Sequence, residues 1–168
     1  MKMPVVFALS AALFLLNGCS TVEENAAPQP ATKVQAGAKV SDEELEKIGE
    51  AFFHQIVKAL KEKNYENFSS LYVEEHKRKI TQPLFEQMSA SFCAVNGNLK
   101  QLRFLGTVNK YSSRVLLWSA VFERTKQVND QLKKAGYDPE TIPDTESLVQ
   151  MVLGKTDKGW KIIQMGIM

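Results

Sequence analysis

The chain has 168 residues, with 21 Lys and Arg against 19 Asp and Glu, and 44% hydrophobic residues. A net charge of +2 excludes the strongly basic face that nucleic-acid binding requires, and the length suits one domain with a proper core. Cys19, Cys93, His54 and His76 are well separated and form no CxxC pair, so no metal site or cofactor is expected.

The N-terminus opens with Lys2 and an apolar run from Val5 to Leu16 broken only by Ser10. A membrane-spanning helix needs ~20 apolar residues, so this run reads as the hydrophobic region of a signal peptide. Leu16-Asn17-Gly18-Cys19 follows, and it resembles the bacterial lipoprotein lipobox. That resemblance implies that the Cys19 thiol takes a diacylglyceryl group and that a peptidase cuts just before it. Two or three acyl chains, at ~0.8 kcal/mol per buried CH₂, make such an anchor effectively permanent. Ser20 stands where Asp would favour inner-membrane retention, so the resemblance implies the outer membrane, facing the periplasm. Residues 1–18 are then the signal peptide and 19–40 the lipidated cysteine with its tether. Residues 41–168 are the domain.

The tether, Ser20 to Val40, is rich in Ala, Pro, Gln, Thr and Gly and shows no apolar periodicity. Its typical span is roughly 25 Å, with a taut limit of about 70 Å. With Cys19 acylated, Cys93 has no partner for an internal disulfide.

Ser41 with Glu44 forms a capping-box pattern, and acidic residues 42–44 suit a helix N-terminus. Leu45, Ile48, Phe52, Ile56 and Leu60 then recur on one face, predicting an amphipathic helix to about Lys63. Tyr65, Phe68, Leu71 and Tyr72 make a second, shorter apolar face after Asn64. Glu74 to Lys79 reads as a solvated helix end and turn. Thr81 and Pro83 open a third helix carrying Leu84, Phe85, Met88, Phe92 and Val95, which Asn96-Gly97 terminates.

Strand periodicity follows. Leu99 to Asn109 is expected to put Leu102, Phe104 and Val108 on one side and Gln101, Arg103 and Thr107 on the other. After a turn at Lys110 to Ser113, Arg114 to Lys126 alternates Leu116, Trp118, Ala120 and Phe122 with Val115, Leu117, Ser119 and Val121. Apolar residues on both faces suggest a central strand covered on both sides. Glu146 to Thr156 and Trp160 to Ile167 form a final hairpin about Asp157-Lys158-Gly159. Gln127 to Thr145 is a long connection with a short helix and a Pro-containing loop.

Helices followed by an antiparallel meander make an α+β layout. The order, the helix ending at Gly97, and the closing Asp157 to Ile162 hairpin resemble the nuclear-transport-factor-2-like superfamily, in particular small bacterial members of unassigned function. That resemblance implies helices packed into the concave side of a curved antiparallel sheet, cone-like. Superfamily enzymes of isomerase and dehydratase type work from the cone with an Asp or His base. In this sequence His54 and His76 read as surface or half-buried residues, and Cys93 reads as a small core hydrophobe. Arg103, Glu123 and Arg124 fall near strand ends or on outer faces, and Arg103 and Glu123 could pair across strands.

Phe52, Tyr72, Phe104, Trp118, Phe122 and Trp160 either pack as plain core or line a small apolar pocket. Gln150 and Gln164 bear on that choice, because an inward amide needs a hydrogen-bond partner and would favour a cavity. The candidate pocket is therefore Phe52, Tyr72, Phe104, Trp118, Phe122, Gln150 and Gln164. The leading expectation is a non-catalytic envelope lipoprotein whose domain binds a partner protein or a small apolar ligand. A cone-pocket enzyme and a structural accessory subunit of an envelope complex are the alternatives.

Overall fold

The computed structural model describes residues 40–110, 113–144 and 146–168. The lipobox, Cys19 and the tether up to residue 39 lie outside the described residues, as do the tip of the first hairpin and residue 145.

Helix α1 (Asp42–Glu62) starts where the sequence placed it: the Ser41 hydroxyl accepts from the Glu44 N–H, and the Glu44 carboxylate accepts from the Ser41 N–H. It ends at Lys63, whose left-handed backbone (φ 54°) closes the C-terminus. The buried stripe is Leu45, Gly49, Phe53, Ile56, Val57 and Leu60. Phe53, not Phe52, enters the core; Phe52 and Ile48 sit half-buried on its flank. Gly49 sets this rotation. A Cβ there would stand 2.7 Å from Trp118 Cζ2, so the helix lies directly on the indole at the one residue that permits it.

Helices α2 (Tyr65–Ser70) and α3 (Glu74–Lys77) follow, then α4 (Gln82–Val95), capped by Thr81 with proline in its first turn. Ser89 of α4 donates to the Leu60 carbonyl at 2.6 Å, which ties α4 to the end of α1 and satisfies a helix-terminal acceptor. The half-buried Cys93 lies beside it, its Sγ 3.9 Å from the same carbonyl.

The sheet is a meander, β1 (Asn96–Lys110), β2 (Ser113–Arg124), β3 (Glu146–Thr156) and β4 (Gly159–Ile167), paired antiparallel in that order. The architecture is α+β, with helices on one face of a curved antiparallel sheet. Three register shifts in β1 and one between β3 and β4 supply curvature. One parallel bridge, Tyr72 to Ile162, adds a short extra rung beside β4.

One shift corrects the sequence reading of β1. The pairing slips between Phe104 and Gly106, and Gly106 takes φ 151°. One extra residue reverses the alternation beyond it, so Thr107 shares a rung with buried Leu116 while Val108 pairs with Val115 on the opposite face. The expectation that Val108 follows Leu102 and Phe104 fails for that reason.

Candidate functional site

The inward face of the sheet is closed. Leu116, Trp118, Ala120 and Phe122 of β2, with Val149, Met151 and Leu153 of β3, are all buried. Trp118 is 1% exposed, with Phe104 at 5.5 Å between ring centroids and Gly49 above it. Phe122 stacks edge-on against Phe92 at 5.5 Å and touches Phe53.

The residues expected to line a pocket do not share one. Phe104, Trp118 and Phe122 occupy the layer between sheet and helices, while Phe52 lies at its flank. Tyr72 belongs to the same buried core but packs on Phe68, at 5.3 Å between ring centroids, and burial pushes its phenol well above the usual tyrosine range. Gln150 and Gln164 point the other way. Gln150 pairs with Leu117, and Gln164 with Val152, both on the face opposite Trp118. Alternation with buried Val149, Met151 and Leu153 already carried that signal for Gln150. The inward amides that would have favoured a cavity are absent from this interior. A shallow groove of about 450 Å³ is found elsewhere, between Lys63, Tyr65, Gln82, Phe85, Glu86 and Ala90, and includes no residue of the expected pocket.

The outward face is the opposite case. The register places Val108, Val115, Val152 and Gln164 in one row across all four strands. The next row is Gly106, Leu117, Gln150 and Gly166. Then come Arg103, Ser119, Leu148 and, through a pair of backbone hydrogen bonds, Met168. Gln101, Val121 and Glu146 close the array. Val108 is 55% exposed and Leu148 39%, and the bulged Leu105 beside them is 45% exposed. The expected cover on both faces of β2 is therefore not provided by the described residues. Val108, Val115, Val152, Leu117 and Leu148 give this face an apolar strip among polar neighbours.

Its polar corner is self-contained. Ser119, itself buried, donates to Glu146 Oε1, and Arg103 Nη2 lies 3.3 Å from the same oxygen. The Ser119 hydrogen bond first, and Arg103 second, hold the Glu146 carboxyl below the usual range. Arg103 thus pairs with Glu146 on β3 and not with Glu123, whose carboxylate accepts from Asn98.

Sequence reasoning missed Arg124. At the end of β2 its guanidinium donates to the carbonyls of Pro139 (2.6 Å), Ile142 (2.8 Å) and Pro143 (2.9 Å) and to Asn129 Oδ1 (3.1 Å). It fastens helix α5 (Lys126–Lys134) and the 3₁₀ turn Pro139–Thr141 to the sheet. Lys100 and Asp144, at 2.7 Å, add a second tie. His54 is exposed beside Glu50 at 3.6 Å, and His76 is half-buried in α3.

No family model matches the chain, and no curated protein resembles it significantly in sequence. Solved structures resemble it loosely. A SEC-C motif containing protein from Rhodopseudomonas palustris is 14% identical over 71% of this chain and 77% of its own, with a TM-score of 0.46. A candidate nuclear-transport-factor-2-like transpeptidase from Campylobacter jejuni is 12% identical over 71% and 97%, TM-score 0.43. A candidate dehydratase of the same family from Streptomyces avermitilis is 11% identical over 74% and 94%, TM-score 0.43.

Proposed function

We propose that this protein is a lipoprotein of the cell envelope, anchored through Cys19 in the outer membrane and facing the periplasm, whose domain is non-catalytic and docks a partner protein. The uncovered apolar face of the sheet carries this reading. A domain that used its interior would need a polar group or a cavity behind β2. The positions where a base or a ligand would have to stand are filled by Leu116, Trp118, Ala120 and Phe122. The small-ligand and cone-enzyme alternatives would need such a group or cavity, which the docking reading does not.

The test is photo-crosslinking in intact cells, with a photoreactive residue at Val108 or Leu148 of the full chain. Leu84, an exposed leucine on α4, serves as the control position. Discrete adducts from the two sheet positions and none from Leu84 support docking on this face. Adducts from Leu84 alone would move the contact to the helices.

A further inference from the structure

We infer that the hairpin end of the sheet rests on the anionic phospholipid headgroups of the membrane that holds the anchor, an inference that rests on the acylation of Cys19 proposed above. Charge is the first argument. Lys110, Ser113, Gly154 and Lys161 share one rung across the four strands, so both hairpin turns lie at the same end of the sheet. Residues 110–114 and 154–161 set Lys110, Arg114, Lys155, Lys158 and Lys161 against Asp157 alone. Three gaps between strands at ~4.8 Å hold that charge within about 15 Å. Lys155 and Lys158 are exposed and pair with no carboxylate among the described residues. Arg114 and Lys161 donate to neutral carbonyls, those of Ser113 (3.1 Å) and Ser70 (2.7 Å). The far end of the sheet is balanced instead. Lys100 and Arg103 pair there with Asp144 and Glu146, and residues 126–141 set Lys126, Lys133 and Lys134 against Asp130, Asp138 and Glu140.

Position is the second argument. Helix α1 lies along β2, with Gly49 against Trp118 and Leu116, Phe53 against Phe122, and Lys61 bonded to Asn98 near the start of β1. It therefore runs away from the hairpin end. Going back from Gly49 at 1.5 Å per residue, Ser41 lies ~12 Å toward the turns, and Ser113 lies ~10 Å beyond Leu116 in the same direction. The chain that leads to Cys19 thus joins the domain at its basic end. Asp42, Glu43, Glu44 and Glu46 stand there too. Glu43 pairs with Lys47 at 2.7 Å, Glu44 closes the cap, and the helix dipole offsets part of the remainder. The hairpins, not the helix, are the side that an anionic surface attracts. A tether of roughly 25 Å keeps them at a high effective concentration of headgroups, so a contact of low affinity is occupied. The strands then stand along the bilayer normal, and the outward face opens sideways to its partner.

Lysine labelling tests this on the full acylated chain, in vesicles of phosphatidylcholine and in vesicles of an equal mixture of phosphatidylcholine and phosphatidylglycerol. A water-soluble acetylating reagent, read by mass spectrometry, gives the rate at each lysine. Lys155 and Lys158 should react at least about fivefold more slowly on the anionic vesicles, the factor that one cation contributes near such a surface. High salt should restore their rate. Lys133 and Lys134, at the far end, should react alike on both. Equal rates at Lys155 and Lys158 on the two vesicles overturn the inference, and so does an equal slowing of all four lysines. Intact mass separates this inference from the anchor beneath it. Acylated protein with unprotected hairpin lysines keeps the anchor and loses the headgroup contact, whereas a chain without acyl mass loses both.

Discussion

Replacing Gly49 by alanine sets two known effects against each other. In an exposed helix the change stabilises by ~1 kcal/mol, because glycine is the poorer helix former. Here the new methyl would stand 2.7 Å from Trp118 Cζ2 and 3.4 Å from Leu116 Cδ2. The indole is 1% exposed and backed by Phe104, so it has nowhere to retreat. Overpacking a core costs ~1–3 kcal/mol, and Gly49→Ala should therefore lower stability by roughly 1 kcal/mol net. Trp118→Phe removes the ring atoms that Cβ strikes, at its own cost of about 1–3 kcal/mol. In that background Gly49→Ala should turn stabilising by up to ~1 kcal/mol. Urea midpoints for the four proteins of the cycle, at constant slope, give the coupling. Strictly additive changes would refute the helix-on-indole seating and, with it, the closed interior.

Tyr72 gives a pH signature. Its phenol is raised by burial, so the folded state keeps its proton where the unfolded chain releases it above about pH 10. The stability this contributes is complete below pH 10 and falls by up to ~1.4 kcal/mol per pH unit above it. Tyr72→Phe should flatten that alkaline slope in denaturant titrations, and an unchanged slope would remove Tyr72 as its source. Arg124→Lys keeps the charge and loses the planar fork that reaches three carbonyls. Hydrogen exchange should quicken through 126–144 while β2 and β3 stay protected; a uniform change would show that the guanidinium supports the whole sheet. Cys19→Ser should leave an unacylated product and release most of the protein from membranes, and acyl mass persisting on that variant would contradict the anchor.

The sequence reveals the order of elements because their signals are local. The capping box at Ser41, the threonine cap at Thr81, the period of Leu116 to Phe122 and the turn at Gly159 each act within a few residues. What it conceals depends on contacts between distant residues. The rotation of α1 toward Phe53 follows from Gly49 meeting Trp118, two residues far apart in the chain. The slip at Leu105 inserts one residue into a regular alternation, and nothing in Phe104-Leu105-Gly106 apart from the glycine announces it. Arg124 looked like an ordinary strand-end charge because its acceptors are backbone carbonyls, which leave no mark on the sequence. The outward face is half visible in the sequence: apolar Val115, Leu117 and Val121 suggest a covered side, and only the register with Val108, Leu148 and Gln150 shows that the described residues leave it partly exposed.

The central claim is that this outward face, which the described residues leave uncovered, is occupied in the cell. Single cysteines at Val108 and Leu148, in a Cys93→Ser background that retains Cys19 for acylation, measure this through the rate at which a small maleimide labels them. Both sites should label fast in dilute purified protein and much more slowly in intact cells, while a cysteine at Leu84 labels equally in the two. Equal rates at all three positions would contradict the account.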